Sequence, residues 1–255
     1  CDTRAPATPP RLAPAALLLG LLLSLPAHAE YDYMIPAQSY LGMARAATLH
    51  NIGQTQLKES AGRAFSSTPT AATAPARVNP AALSFTPSPQ VRAEVRASLI
   101  DGLSGGKPEL RSKLEQALGG DAVLKQFDRL LQNYGYSSTN IADVMTAYSI
   151  IAWEVVNGAD ASHNVEGIRS VNAQLRGALL SNARLSQLAD EQKQRIAEVM
   201  AYQTVLAAAL SQRMIRDNNQ SGLQQLRTQV RQAALQWGDD PQRLRLTARG
   251  FVRTS

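Results

Sequence analysis

The chain has very little cysteine and histidine. Its one cysteine is Cys1, and after residue 29 the histidines are His50 and His163. These two are far apart in sequence, and neither has a second ligand at helical spacing. Zinc and iron sites need several histidine, cysteine or carboxylate ligands close together. We therefore expect no metal site and no cofactor.

Aromatic residues and nucleotide-binding motifs are also scarce. Phe, Trp and Tyr make up 5% of the residues, which is low for the substrate-binding cleft of a cell-wall lytic enzyme. The nearest approach to a phosphate-binding loop is DGLSGGKPEL, where Gly106 and Lys107 are in place. Asp101 stands where that motif needs glycine, and Pro108 where it needs Ser or Thr. The segment is therefore not a phosphate-binding loop.

The N-terminal residues have the pattern of an export signal. Arg4 and Arg11 precede an apolar run over 12–25, and the run is followed by Ala-His-Ala at 27–29. Small residues in this spacing are what signal peptidase recognises. We predict cleavage before Glu30 and removal of residues 1–29. A retained transmembrane anchor is the alternative, although about twenty apolar residues are needed to span a bilayer.

Export has consequences for the mature chain. It would be periplasmic or secreted, with no transmembrane anchor after signal cleavage. Without Cys1 it could form no disulfide and perform no thiol chemistry. Its formal charge would fall from +6 to +5, because two arginines and one aspartate leave with the signal. The remaining positive charge lies after Gly158, where thirteen basic residues face eight acidic ones.

Composition divides the mature chain into three regions. Residues 30–59 contain tyrosine and aliphatic side chains, with a possible short helix near 41–57. Residues 60–89 are rich in Ala, Pro, Ser and Thr, and few large apolar groups are present to offset the entropy of ordering. We predict a linker there. Residues 90–255 are expected to form a helical domain.

Apolar residues in the last region recur with helical spacing, and almost nothing alternates with the period of a strand. The spacing predicts helices over 90–103, 108–118, 121–134, 141–156, 164–180, 190–216 and 221–237. We predict an irregular tail anchored by Phe251. The fold class is all-α: a bundle of about five to six helices around a central apolar helix.

That central helix is predicted over 141–156. Asn140 is suited to its N-cap, Asp143 lies in its first turn, and Gly158 is suited to its end. Its surface is apolar on most sides, which is typical of a membrane span or of a helix inside a bundle. It is too short to span a bilayer and it carries Glu154, so we predict the bundle core.

Two candidate sites follow from these patterns. Glu154 could act as an acid or base, since a carboxylate in apolar surroundings gains a raised pKa; alternatively it lies at the bundle edge or pairs with an arginine. Basic residues near the end could bind an anionic partner; alternatively they form an ordinary solvated face. The candidates for that partner are Arg227, Arg231, Arg245 and Arg249. Nucleic acid is not expected, because aromatic and basic residues are not interleaved.

The order of several motifs resembles a known family. These are Tyr134-Gly135, then Asn140-Ile141-Ala142-Asp143 with Trp153 and Gly158, then Leu246-Thr247 with Gly250-Phe251. The resemblance covers about residues 87–252 and is to a family of exported bacterial proteins known as domain of unknown function six-six-eight-three. It implies export and a helical fold, and no catalytic residue. The sequence favours a non-enzymatic interaction module of the bacterial envelope or secretome, binding an unidentified protein or anionic envelope component. An exported hydrolase that uses Glu154 is the alternative.

Overall fold

The computed structural model describes residues 51–65, 80–238 and 240–254. These parts of the chain are mostly helical, as predicted. The α-helices are α1 (Asn51–Ala64), α2 (Pro89–Ser104), α3 (Pro108–Leu118), α4 (Ala122–Gln132), α5 (Ile141–Asn157), α6 (Val165–Leu180), α7 (Ala183–Ser186), α8 (Asp190–Arg216) and α9 (Gln220–Gln236). Short 3₁₀ turns lie at Pro80–Leu83 and Pro241–Arg243, and two strands follow, β1 (Leu244–Thr247) and β2 (Gly250–Arg253).

Asparagine side chains start three of the longer helices. Asn140 accepts a hydrogen bond from the backbone N–H of Ala142 at 3.0 Å, at the start of α5. Asn164 and Asn219 do the same for α6 and α9, at 2.8 and 2.9 Å. Each bond satisfies a backbone donor that has no partner within the helix. Gly158 ends α5 with φ at 62°, as its position in the sequence predicts.

Asp121 does not cap α4 as its position suggests. The structure shows no hydrogen bond from its side chain to the first turn of that helix. Its carboxylate instead accepts from Arg96 of α2 at 3.1 Å. A cation close by is a stronger partner for a carboxylate than a backbone N–H, so the ion pair between helices prevails over the local cap.

The centre of the bundle is a pair of helices. Helix α5 is buried, as predicted, and packs against α4, α6, α8 and α9. Helix α8 is buried on nearly all sides from Ile196 to Leu210 and contacts α1, α2, α4, α5 and α9. Small residues such as Ala207 and Ala208, both almost fully buried, allow neighbouring helices to approach closely. The core therefore surrounds α5 and α8 together.

The tail is not irregular. Strands β1 and β2 form an antiparallel hairpin in which Leu246 pairs with Phe251 and Thr247 pairs with Gly250. The side-chain amide of Gln174 on α6 donates to the carbonyl of Phe251 and accepts from its N–H, both at 3.0 Å. This amide thus satisfies the outer edge of β2 and holds the hairpin on the bundle. Phe251 is buried, as predicted for an anchor.

The structure also differs from the predicted linker at both of its ends. Helix α1 continues through residue 64, and its Leu57 and Ala61 are buried together with Phe65. At the other end, Leu83 and Phe85 are buried, and Ser84 forms a β-bridge with Asn140. Both segments are ordered because α1 and the turn at Pro80–Leu83 each pack on α6 and α7. The middle of the predicted linker, and the N-terminal part of the predicted short helix, lie outside the described residues.

Candidate functional site

Glu154 lies in a small pocket beside the C-terminal half of α5. The cavity volume is about 30 Å³, enough for one or two water-sized groups. Its lining is mainly apolar and comes from α4, α5, α6 and the segments that join them. The lining residues are Leu130, Leu131, Tyr134, Tyr136, Thr146, Ala147, Ile150, Ile151, Glu154, Ser162 and Ile168.

The Glu154 carboxylate is held by the turn that follows its helix. Its Oε1 accepts a hydrogen bond from the backbone N–H of Ala161 at 2.7 Å. Burial raises the pKa of Glu154 to about 7, although the Ala161 bond acts in the opposite direction. The neighbouring carboxylate of Asp160 contributes to the rise. Among the described residues no arginine or lysine forms an ion pair with Glu154, so the arginine pairing considered from the sequence is not observed.

Two tyrosines and a serine complete the polar part of the pocket. The rings of Tyr134 and Tyr136 are stacked, with centroids 6.0 Å apart. Burial, and then the charge of Glu154, raise the pKa of Tyr134 to about 12. The Oη of Tyr136 and the Oγ of Ser162 are buried, and neither has a hydrogen-bond partner in the described parts of the chain. No sequence pattern indicated either oxygen, because loops position both side chains.

A buried polar network lies at the opposite end of α5. Asp143 accepts hydrogen bonds from the backbone N–H of Ser137 at 3.0 Å, from Asn172 at 2.9 Å and from Arg176 at 2.8 Å. Asn172 also donates to Thr146 at 3.0 Å. The Asp143 carboxylate is therefore bound by three donors from the protein itself. This network fastens α6 to α5 and explains why the aspartate of the family motif stands in the first turn.

The four arginines predicted to bind an anion do not form one free face. Arg231 donates two hydrogen bonds to Asp240, at 2.9 and 2.8 Å. Arg227 donates to the carbonyl of Val155 near the end of α5, at 3.2 Å, where a cation also stabilises the helix dipole. Arg245 and Arg249 lie exposed on the hairpin. The first two arginines therefore have structural partners.

A different set of cations lines an open groove between α1 and the C-terminal segment. The groove has a volume of about 680 Å³. Its lining includes Lys58 of α1, Arg243 and Arg253, all exposed, with Glu59 and Asp240 as the acidic members. Thr55, Leu235 and Gly238 complete it. The sequence did not indicate this cluster, because it exists only when α1 docks beside the hairpin.

One sequence pattern often associated with hydrolases has a structural role here. Residues 102–106 read G-L-S-G-G and match the nucleophile-elbow pattern, in which the serine sits on a sharp turn between a strand and a helix. Ser104 instead ends α2 and is buried, and its Oγ donates to the carbonyl of Asp101 at 3.1 Å. The match therefore marks a helix terminus.

The described residues contain no group of three or more His, Cys, Asp or Glu side chains that could hold a metal ion. Across the same residues, no helix has the length and apolar character needed to cross a membrane. The candidate functional features of the described residues are the Glu154 pocket, the Asp143 network and the open groove with its exposed cations.

These features define a mostly helical domain closed by a C-terminal hairpin. The chain belongs to the family described as "Family of unknown function (DUF6683)", whose model matches residues 9–254. This match is wider than the 87–252 expected from the motifs. No curated protein and no solved structure is similar enough to count as a match.

Proposed function

We propose that the protein is a non-enzymatic, exported interaction module of the bacterial envelope that binds an anionic partner in the groove between α1 and the C-terminal segment. The observation that carries this proposal is the groove itself. Its volume of about 680 Å³ is in the range of binding sites, whereas the Glu154 pocket holds about 30 Å³.

The charges of the groove favour an anion. Among the lining residues that the structure describes, Lys58, Arg243 and Arg253 face one uncompensated acid, Glu59, because the charge of Asp240 is already offset by Arg231 at 2.8 Å. Arg243 lies 3.9 Å from Asp240, and 72% of its side chain is exposed. Exposed cations on one face raise the local concentration of anionic ligands.

The test is binding of alginate, a soluble acidic polysaccharide, to the full chain in a salt titration. We expect binding at low ionic strength that weakens as salt rises. The double variant Arg243→Gln/Arg253→Gln should lose most of it. The matched variant Arg245→Gln/Arg249→Gln removes the same charge from the adjacent hairpin and should retain it. Equal losses in both variants would mean that the overall charge, and not the groove, attracts the polymer.

The proposal of export is supported by the arginines, apolar run and Ala-His-Ala motif of residues 4–29, which lie outside the described residues. N-terminal sequencing of protein recovered from the periplasm or the medium should begin at Glu30. Recovery with residues 1–29 intact in the membrane fraction would favour a retained anchor.

One observation favours a second candidate, an exported hydrolase. A carboxyl with a pKa of about 7 is suited to general acid catalysis near neutral pH. The size of the Glu154 pocket opposes this candidate, because a sugar ring does not fit into about 30 Å³. Cell-wall lysis by the wild-type chain that is lost in Glu154→Gln would favour the hydrolase and would displace the interaction module.

A further inference from the structure

The pocket around Glu154 has a chemistry that the groove does not share. It combines a carboxylate with two buried hydroxyl oxygens, those of Tyr136 and Ser162, inside a mainly apolar wall. Glu154 is partly buried. We propose that this pocket binds the primary ammonium group at the end of an unbranched alkyl chain.

Charge is the first argument. The carboxylates of Glu154 and Asp160 lie close enough to raise the free energy of the ionised state, and no described cation pairs with Glu154. Two arginines, Arg169 and Arg176, lie near Tyr136, where each lowers the pKa of the phenol. Arg176 is held by Asp143 at 2.8 Å. The pocket thus carries a negative charge that a bound cation would neutralise.

Hydrogen bonding is the second argument. Buried polar oxygens without a partner are costly, and native structures usually satisfy them. The Oη of Tyr136 and the Oγ of Ser162 are in this state, and Glu154 has one bond, from Ala161. An ammonium group has three N–H donors and no acceptor. Glu154, Tyr136 and Ser162 line the same pocket, so an ammonium group there meets oxygen acceptors, whereas a neutral alcohol would leave the charge of Glu154 uncompensated.

The size of the pocket and its apolar walls limit which cations could bind. A volume of about 30 Å³ admits an ammonium head and excludes a quaternary ammonium, which also lacks N–H donors. Calcium takes six to eight oxygens and magnesium keeps several waters in an octahedral shell, and neither arrangement suits walls of Leu130, Ile150 and Ile168. Those side chains favour contact with the first methylene group of a slim alkyl stem.

The ammonium could belong to a free alkylamine or to the lysine side chain of a protein. The experiment is a titration of the full chain at about pH 8, where Glu154 is ionised, followed by the amide NMR signals of Ala161 and Ser162. One arm uses n-butylammonium, and a second uses the peptide acetyl-Gly-Lys-Gly-amide. Butan-1-ol is the neutral control of equal length.

We expect n-butylammonium to shift both signals with an affinity at least about tenfold above that of butan-1-ol, which lacks a charge to pair with Glu154; a tenfold difference corresponds to about 1.4 kcal/mol. Glu154→Gln should reduce the affinity by at least about tenfold, and Tyr136→Phe by a smaller factor. Glu166→Gln, an exposed change on α6, should leave it unchanged. Tighter binding of the peptide identifies a protein lysine as the source, and tighter binding of butylammonium identifies a free amine.

Three outcomes would overturn the proposal. Equal binding of butan-1-ol would make the pocket a purely apolar cavity. If neither n-butylammonium nor the lysine peptide shifts the amide signals, the pocket binds no ammonium group and is a site for water. Equal binding of acetyl-Gly-Arg-Gly-amide would mean that any cation is attracted and that the ammonium is not recognised. Because alginate binding uses a different surface, failure here would leave the proposed groove function untouched.

Discussion

The backbone of Gly238 lies directly against the backbone of Lys58. Gly238 has φ at +105°, and a Cβ built on it would approach the Cα of Lys58 to 2.9 Å and its carbonyl oxygen still more closely. Glycine is therefore required at the end of α9 for two reasons, its backbone conformation and the space that α1 occupies. This contact joins the two walls of the basic groove.

Gly238→Ala should destabilise the fold by about 2–4 kcal/mol, since the strain of a positive φ adds to a backbone clash. Chemical denaturation measures the change. Gly177→Ala is the matched control, because a Cβ at Gly177 meets nothing within 4 Å and the residue lies inside α6. That variant should be as stable as the wild type or up to about 1 kcal/mol more stable. Equal effects of the two substitutions would mean that α1 does not pack against Gly238.

The ion pair between Asp143 and Arg176 gives a second prediction. Asp143 is buried while 31% of the Arg176 side chain is exposed. Arg176→Ala should lower the free energy of unfolding by about 2–4 kcal/mol, because it leaves the buried carboxylate without its cation. Arg169→Ala, an exposed change on the same helix, should cost less than about 0.5 kcal/mol.

Removing both partners tests whether they act together. Asp143→Ala/Arg176→Ala should be less destabilising than the sum of the single variants, with a coupling of about 1–3 kcal/mol in a double-mutant cycle. Strict additivity would show that the two side chains do not interact.

Glu154 makes stability depend on pH. Its pKa is raised from 4.5 to about 7 by burial, so between these values the folded chain binds more protons at this site than the unfolded chain. Stability from this group is fully present below pH 4.5 and is lost as the pH rises through 7. The loss should be about 1–3 kcal/mol, which is less than the full pKa change corresponds to, because Glu154 is only partly buried.

Glu154→Gln isolates this effect. The difference in unfolding free energy between the wild type and this variant should change between about pH 4.5 and pH 7, with the variant relatively more stable at the higher pH. Urea denaturation at several pH values provides the measurement. Glu166→Gln should show no such trend. A wild type that gains stability relative to Glu154→Gln with rising pH would contradict a raised pKa.

The helices were predictable because local chemistry marks their ends. Asn140 caps the central helix in the structure as its position suggests, and that helix is buried. The hairpin was missed because four residues per strand are too few for an alternating pattern to stand out. In a short strand, the partner across the turn and the amide of Gln174 decide the structure instead.

The candidate sites were less predictable because they depend on distant contacts. Glu154 was predicted as a candidate because it is an acid in an apolar helix. The hydroxyl groups of its pocket were not predicted, because the segments between helices supply them. The partner of Arg231 could not be predicted, because Asp240 comes into reach only after the chain turns at Gly238. Residues 60–65 were predicted as part of a linker because of their composition. Phe65 is nevertheless buried, because its ring packs against the ring of Phe251.

That partner gives a fourth prediction. The rings of Phe65 and Phe251 meet edge to face, with centroids 5.3 Å apart, and Phe251 also lies 5.9 Å from Trp153. Phe251→Ala should cost about 3–5 kcal/mol. Val252→Ala, a less buried change on the same strand, should cost less. A double-mutant cycle with Phe65→Ala should give a coupling of about 0.5–1.5 kcal/mol, and no coupling would mean that α1 does not meet the hairpin.

The position of Phe251 near the end of the chain also determines when the core can be completed during synthesis. During synthesis or export the chain emerges from one end, so α1 is available long before the strand that covers Phe65. Until residue 251 has emerged, Phe65 and Trp153 lack the ring that both contact, and their apolar surfaces remain open to other chains. Closing the core must then join segments more than 180 residues apart, which is slow compared with helix formation. We therefore expect the growing chain to depend on a holding factor, such as a chaperone, until its hairpin is complete.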